Sequence, residues 1–249
     1  MENRAEYSWD LGSLKTSTYA LVILNQPFDS EKRIVDLWNG ANYRVTVDGG
    51  SNQWFDLVQS TSLEINHPLP DLVTGDFDSI RPEVEDLYAK QPSVKVIKTP
   101  DQDYTDFTKA LIEVESSKVS VDFVFAFVEN RGRLDQILAN IETLFHASNH
   151  LGSKKTLFLF GSETVTWLLR PGKHTVAVPG DLDREKCHVG LIPIGEPVSG
   201  VVTQGLKWDL DGTLELAFGK LVSTSNAFSS ESDTVQIVTP KPLLFTLEY

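Results

Sequence analysis

The spacing of apolar residues changes once along the chain, near residue 150, and that change limits the fold more than any other feature. Before it, five strand-like runs alternate with helical patterns. The runs are TYALVILNQ (18–26), YRVTVDGG (43–50), DLVTGDFDS (71–79), VKVIKTPDQD (94–103) and VDFVFAFVEN (121–130). Helical periods lie near 30–40, 51–60, 81–90, 104–116 and 134–148, and in the last Leu134, Ile137, Leu138, Ile141, Leu144 and Phe145 form one apolar stripe. Nearly continuous apolar strands between amphipathic helices predict a mainly parallel sheet covered by helices. Beyond 150 the runs are short and β-rich, punctuated by Pro171-Gly172, Pro179-Gly180 and Asp211-Gly212, the last a hairpin signal. The expected fold is therefore an N-terminal extension (1–17), an α/β domain (18–150) and an antiparallel β-sandwich (151–249).

With 41% hydrophobic residues in 249, the chain has enough apolar material for a core of that size. No apolar run approaches the roughly 20 residues that span a bilayer, and no secretory signal is expected. Cys187 is the single cysteine, which fits a reducing, cytoplasmic compartment. A net charge of −13 argues against broad nucleic-acid binding, which needs a basic face. It leaves room for a nucleotide carried with a divalent cation.

In an open parallel sheet, ligands sit beyond the carboxyl ends of the strands. Here those ends carry Asn25, Asp48, Asp76 with Asp78, Asp101 with Asp103, and Glu129. Acids gathered along one edge repel one another unless a cation lies between them, and magnesium takes one or two carboxylates together with phosphate oxygens. Asp48-Gly49-Gly50 allows backbone to approach a phosphate or ribose closely. In TPDQDYTDFTKAL (99–111), Asp103 or Thr105 caps the next helix, whose first turn gathers Thr105, Asp106 and Lys109. Arg131 and Arg133 follow the fifth strand, as suits bidentate phosphate contact; a plain ion pair with Asp135 is the simpler reading of Arg133.

At these residues the chain resembles the eukaryotic thiamine pyrophosphokinase family. The matching stretches, in family order, are LVILNQP, DGGSN, GDFDSIRPEV, TPDQDYTDFTK, GRLDQ, LLRPGKH, GLIPIGEP and LAFGKLVSTSN. The resemblance implies transfer of pyrophosphate from ATP to thiamine, a magnesium requirement, and a homodimer with active sites at the interface. It implies magnesium on Asp76, Asp78 and Asp106, with Arg133 also catalytic. Asp48, Gly49, Gln102, Thr105, Lys109 and Arg133 would line the nucleotide and transfer site. Gln102, Ser225, Asn226 and Trp208 would line the thiamine pocket. One departure stands out: Val128 and Glu129 occupy positions where the family has glycines. Two other readings remain: a thiamine- or nucleotide-binding protein with impaired catalysis, and a magnesium-dependent phosphohydrolase whose nucleophile loop DFDSI imitates.

Overall fold

The computed structural model describes residues 5–10, 12, 17–128, 132–151, 155–161, 163–180, 182–184 and 186–248. The chain divides into two compact units: Ser17–Ser162, and Met1–Thr16 together with Glu163–Tyr249. After strand β1 (Glu6–Asp10), the first of these units runs β2 (Tyr19–Ile23), α1 (Glu31–Gly40), β3 (Tyr43–Val47), α2 (Gly50–Ser60), β4 (Leu72–Gly75) and α3 (Pro82–Ala89). It continues with β5 (Lys95–Lys98), α4 (Asp106–Ser116), β6 (Phe123–Phe127), α5 (Leu134–His150) and β7 (Thr156–Phe160).

All five helices fall within a residue or two of the sequence expectation because their signals are local. Ser30 caps α1 by accepting from Arg33 N, Pro82 opens α3, and Thr105 caps α4 by accepting from Thr108 N. The strands of this unit pair in parallel in the order β7-β6-β2-β3-β4-β5. Every residue of β2 is buried, as befits a central strand covered on both faces. Strand order reverses between β2 and β6, while the ends of β3 and β4 bring Asp48 and Asp76 side by side. Trp38 of α1 stacks on Trp54 of α2 with centroids 3.7 Å apart, and Trp54 donates to Pro68 O.

The other unit adds β8 (Thr164–Leu169), β9 (Gly172–Ala177), β10 (His188–Ile192), β11 (Val198–Ser199) and β12 (Val202–Gln204). Then come β13 (Glu215–Leu216), β14 (Ser223–Ala227), β15 (Thr234–Thr239) and β16 (Leu243–Glu248). One layer pairs β14-β10-β16-β8 antiparallel; the other orders β1-β9-β15-β12. Trp9 of the second layer meets Trp167 of the first at 5.8 Å, and alternate residues of β9 and β15 are buried. That is the sandwich pattern.

Four expectations need correction. The run KTLFLF, assigned to the antiparallel half, is β7, which pairs in parallel with β6. A short apolar run reads alike in either setting, so periodicity alone could not place it. Residues 6–10, expected as part of an extension, form β1 and pair in parallel with β9. Asp211-Gly212 does not join two regular strands. Asp209 takes the Gly205 and Leu206 amides and the Thr203 hydroxyl, and Asp211 takes the Thr213 amide, so side chains hold backbone groups that a ladder would use. On α5, Leu144 is buried, yet Leu134 is 66% and Leu138 50% exposed: the buried residues, Thr143, Leu144 and Ala147, all lie in its second half.

Candidate active site

Three strand ends build the site. After β3 the chain turns at Asp48, which adopts a positive φ of 46°, and enters α2. The same turn brings Gly50 so close to β2 that a Cβ there would lie 2.5 Å from Ile23 O. At the end of β4, Gly75 at φ 141° passes Asp48 so tightly that a Cβ would stand 2.8 Å from Asp48 Cβ. Phe77 follows at φ 66°, a left-handed conformation that a bulky side chain rarely takes. Its ring packs partly buried on the cluster of Val73, Ile80, Val84, Tyr88 and Val94, with Lys98 Nζ 5.8 Å from the ring centroid.

That reversal lets the Asp78 amide donate to Asp76 Oδ1 at 3.2 Å. The next two amides, Ser79 and Ile80, both donate to Asp48 Oδ1, at 3.1 and 3.0 Å. Asn52 of α2 closes the turn, donating to Ser79 O and accepting from Arg81 N. One carboxylate oxygen from each of Asp48, Asp76 and Asp78 lies within 4.8 Å of the other two. Asp48 is buried, and burial pushes its carboxyl up from the ordinary carboxylate range, against the pull of the donated hydrogen bonds. Three hard oxygen donors this close suit a cation such as magnesium.

The resemblance assigned the metal to Asp76, Asp78 and Asp106. The structure brings Asp76 and Asp78 together with Asp48, while Asp106 lies outside that close group among the described residues. Asp106 Oδ1 sits 2.7 Å from Lys109 Nζ. Lys109 is buried, and its ammonium also donates to Thr99 O at 2.7 Å and Asp101 O at 2.8 Å. Gln102 donates to Asp76 Oδ2 and Pro100 O at 3.4 and 3.3 Å, which ties the loop after β5 to the acids. Thr105 caps α4; Asp103 instead donates its amide to Asp101. Arg133, at the start of α5, is 74% exposed in its side chain and pairs with Asp135. Val128 is buried and donates its amide to Phe160 O; Glu129 and Arg131 lie outside the described residues.

In the sandwich unit, Asn226 is buried and clasps the backbone of residue 208. It accepts from Trp208 N at 3.2 Å and donates to Trp208 O at 2.9 Å. Ser225 beside it has φ 55°. The Trp208 indole is 57% exposed, with Lys207 Nζ 4.7 Å from its centroid, so it is a presented aromatic face and not core.

Two family models match: "Thiamin pyrophosphokinase, catalytic domain" over residues 34–156 and "Thiamin pyrophosphokinase, vitamin B1 binding domain" over residues 173–244. The chain belongs to the thiamine pyrophosphokinase family. Thiamine pyrophosphokinase 3 of Oryza sativa subsp. japonica is 35% identical over 241 residues, covering 93% of this chain and 87% of its own. Thiamine pyrophosphokinase 1 of Arabidopsis thaliana is 32% identical, covering 94% and 88%. The structure of thiamin pyrophosphokinase from Candida albicans matches in fold, with a TM-score of 0.82 at 22% identity over 100% of this chain and 94% of that one. Within this family frame, sequence reasoning placed Asp48 with the nucleotide and overlooked Asn52. The signal for both was the stretch DGGSN, whose acid and amide reach across to the loop after β4.

Proposed function

We propose that this thiamine pyrophosphokinase family member transfers a pyrophosphoryl group from ATP to the hydroxyethyl oxygen of thiamine, giving thiamine diphosphate and AMP, with magnesium as its metal. The carrying observation is the cluster of three carboxylates at adjacent strand ends, in a chain whose two halves match the catalytic and vitamin B1 binding domains of the family.

Asp76 and Asp78, with Asp48 beside them, would hold the magnesium, and Asp106 stays in the proposal as the acid supplied by α4. Bound magnesium would offset charge on the phosphate oxygens, which is most of what polyphosphate transfer demands. The protein's own part is positioning. Asp48 fixes the turn that carries Asp76 and Asp78 through the amides of Ser79 and Ile80. Gln102 steadies Asp76 and would also contribute to the thiamine pocket. Gly49, Thr105 and Arg133 would face the nucleotide, with Arg133 exchanging Asp135 for phosphate. In the other unit, the exposed Trp208 indole offers a stacking face to the thiamine rings, held by Asn226, with Ser225 adjoining. Thiamine's fixed positive charge suits a chain of net charge −13. We further propose a homodimer in the cytoplasm, its thiamine pocket shared between subunits. No helix among the described residues is long and apolar enough to cross a membrane.

The test is incubation with ATP, magnesium and thiamine, followed by separation of products. Equal amounts of AMP and thiamine diphosphate support the proposal. Phosphate released without thiamine would establish the hydrolase reading instead, and ligand binding without product would establish a non-catalytic binding protein.

A further inference from the structure

Lys109 combines a charged group with almost no exposure: its side chain is 7% exposed. An ammonium has three donors and no acceptor. Two of them donate to backbone carbonyls, Thr99 O at 2.7 Å and Asp101 O at 2.8 Å, and Asp106 Oδ1 lies 2.7 Å from the ammonium as its ion-pair partner. A phosphate oxygen that drew the ammonium toward itself would pull it from two carbonyls and from the Asp106 carboxylate that it neutralises. The two carbonyls flank Pro100 in the loop after β5, and the next residue, Gln102, reaches Asp76 Oδ2. A continuous line of contacts therefore runs from α4 through Lys109 and residues 99–101 to Gln102 and the acid cluster.

We propose that Lys109 is a positioning residue, which clamps the loop after β5 so that Gln102 is held against Asp76, and that it does not contact the nucleotide's phosphates. This rests on the reading of the site as a pyrophosphoryl-transfer centre. The two roles make opposite kinetic demands. A phosphate contact stabilises bound nucleotide, so its loss weakens ATP affinity by about ten-fold or more, the scale of a charge-assisted hydrogen bond. A clamp acts on the geometry of transfer, so its loss lowers kcat and leaves ATP affinity nearly unchanged.

The experiment compares Lys109→Met, Lys109→Arg, Gln102→Ala and the Lys109→Met/Gln102→Ala pair with wild type, using the full chain. Magnesium-ATP Kd is measured by calorimetry, and kcat from thiamine diphosphate formation. The expected result for Lys109→Met is a kcat at least about 100-fold lower with the ATP Kd within about three-fold. The double variant should be no worse than Lys109→Met alone, because both changes cut the same line of contacts. Lys109→Arg keeps the charge and is an able phosphate ligand, but its planar fork does not match three acceptors arranged around a point, so its kcat should fall too. This variant decides the matter if Lys109→Met does not fold. A ten-fold weaker ATP Kd in Lys109→Met, full kcat in Lys109→Arg, or additive losses in the double variant would each overturn the clamp. Wild type making no thiamine diphosphate would overturn the parent reading, and it would be seen before any substitution is made.

Discussion

Trp9 donates its indole N–H to His174 Nδ1 at 3.0 Å, across 165 residues of chain, and the opposite ring nitrogen of His174 lies 2.7 Å from Arg170 O. With Nδ1 accepting, Nε2 carries the proton and donates to that carbonyl, so the imidazole is neutral. Tyr7 stacks on the same ring at 4.7 Å. Burial lowers the pKa of His174, and the Arg170 carbonyl opposes this only in part. The folded value thus lies below the unfolded value of about 6.5, so the folded state prefers the neutral ring. Its contribution to stability is complete above that pH and is lost as pH falls through about 6.5 toward the folded value. Thermal melts should show a larger drop in Tm between pH 7 and 5 for wild type than for His174→Phe, which has no titrating ring.

Gly75 is the pivot of the metal turn, at φ 141° and against Asp48. Gly75→Ala should destabilise the fold by about 2 kcal/mol or more in denaturant melts, because the methyl meets Asp48 in a conformation unsuited to alanine. The same displacement should weaken manganese binding, read by electron paramagnetic resonance.

Asp78→Asn removes one negative oxygen from the cluster while keeping the side chain's shape. Turnover should fall at least about 100-fold, with the circular dichroism spectrum unchanged. Near-normal turnover in this variant would remove Asp78 from the metal set.

Asn226→Ala leaves both backbone groups of Trp208 without their side-chain partner in a part-buried position. A loss of about 2 kcal/mol of stability is expected, with a raised KM for thiamine and an ATP KM close to wild type.

The two halves of α5 should respond differently to substitution. Leu144→Ala, in the core at 4% exposure, should cost about 2–4 kcal/mol. Leu138→Lys, in the exposed first half, should change stability by less than about 0.5 kcal/mol.

What the sequence determined by itself was whatever depends on neighbours within a few residues. Helix α4 begins at Asp106 because Thr105 can cap it, and Asp76 stands by Asp78 because one residue separates them. Period and spacing carry such facts without reference to the rest of the chain. Tertiary structure decided the pairings that span long separations. It set β1 beside β9, made KTLFLF the last parallel strand, and closed Asp48 onto a turn more than 30 residues away. It also enclosed the Lys109 ammonium among two carbonyls and a carboxylate, since backbone acceptors look the same at every position in a sequence. Only the folded backbone, by placing those oxygens in space, decides which charged group has partners to spare for a ligand.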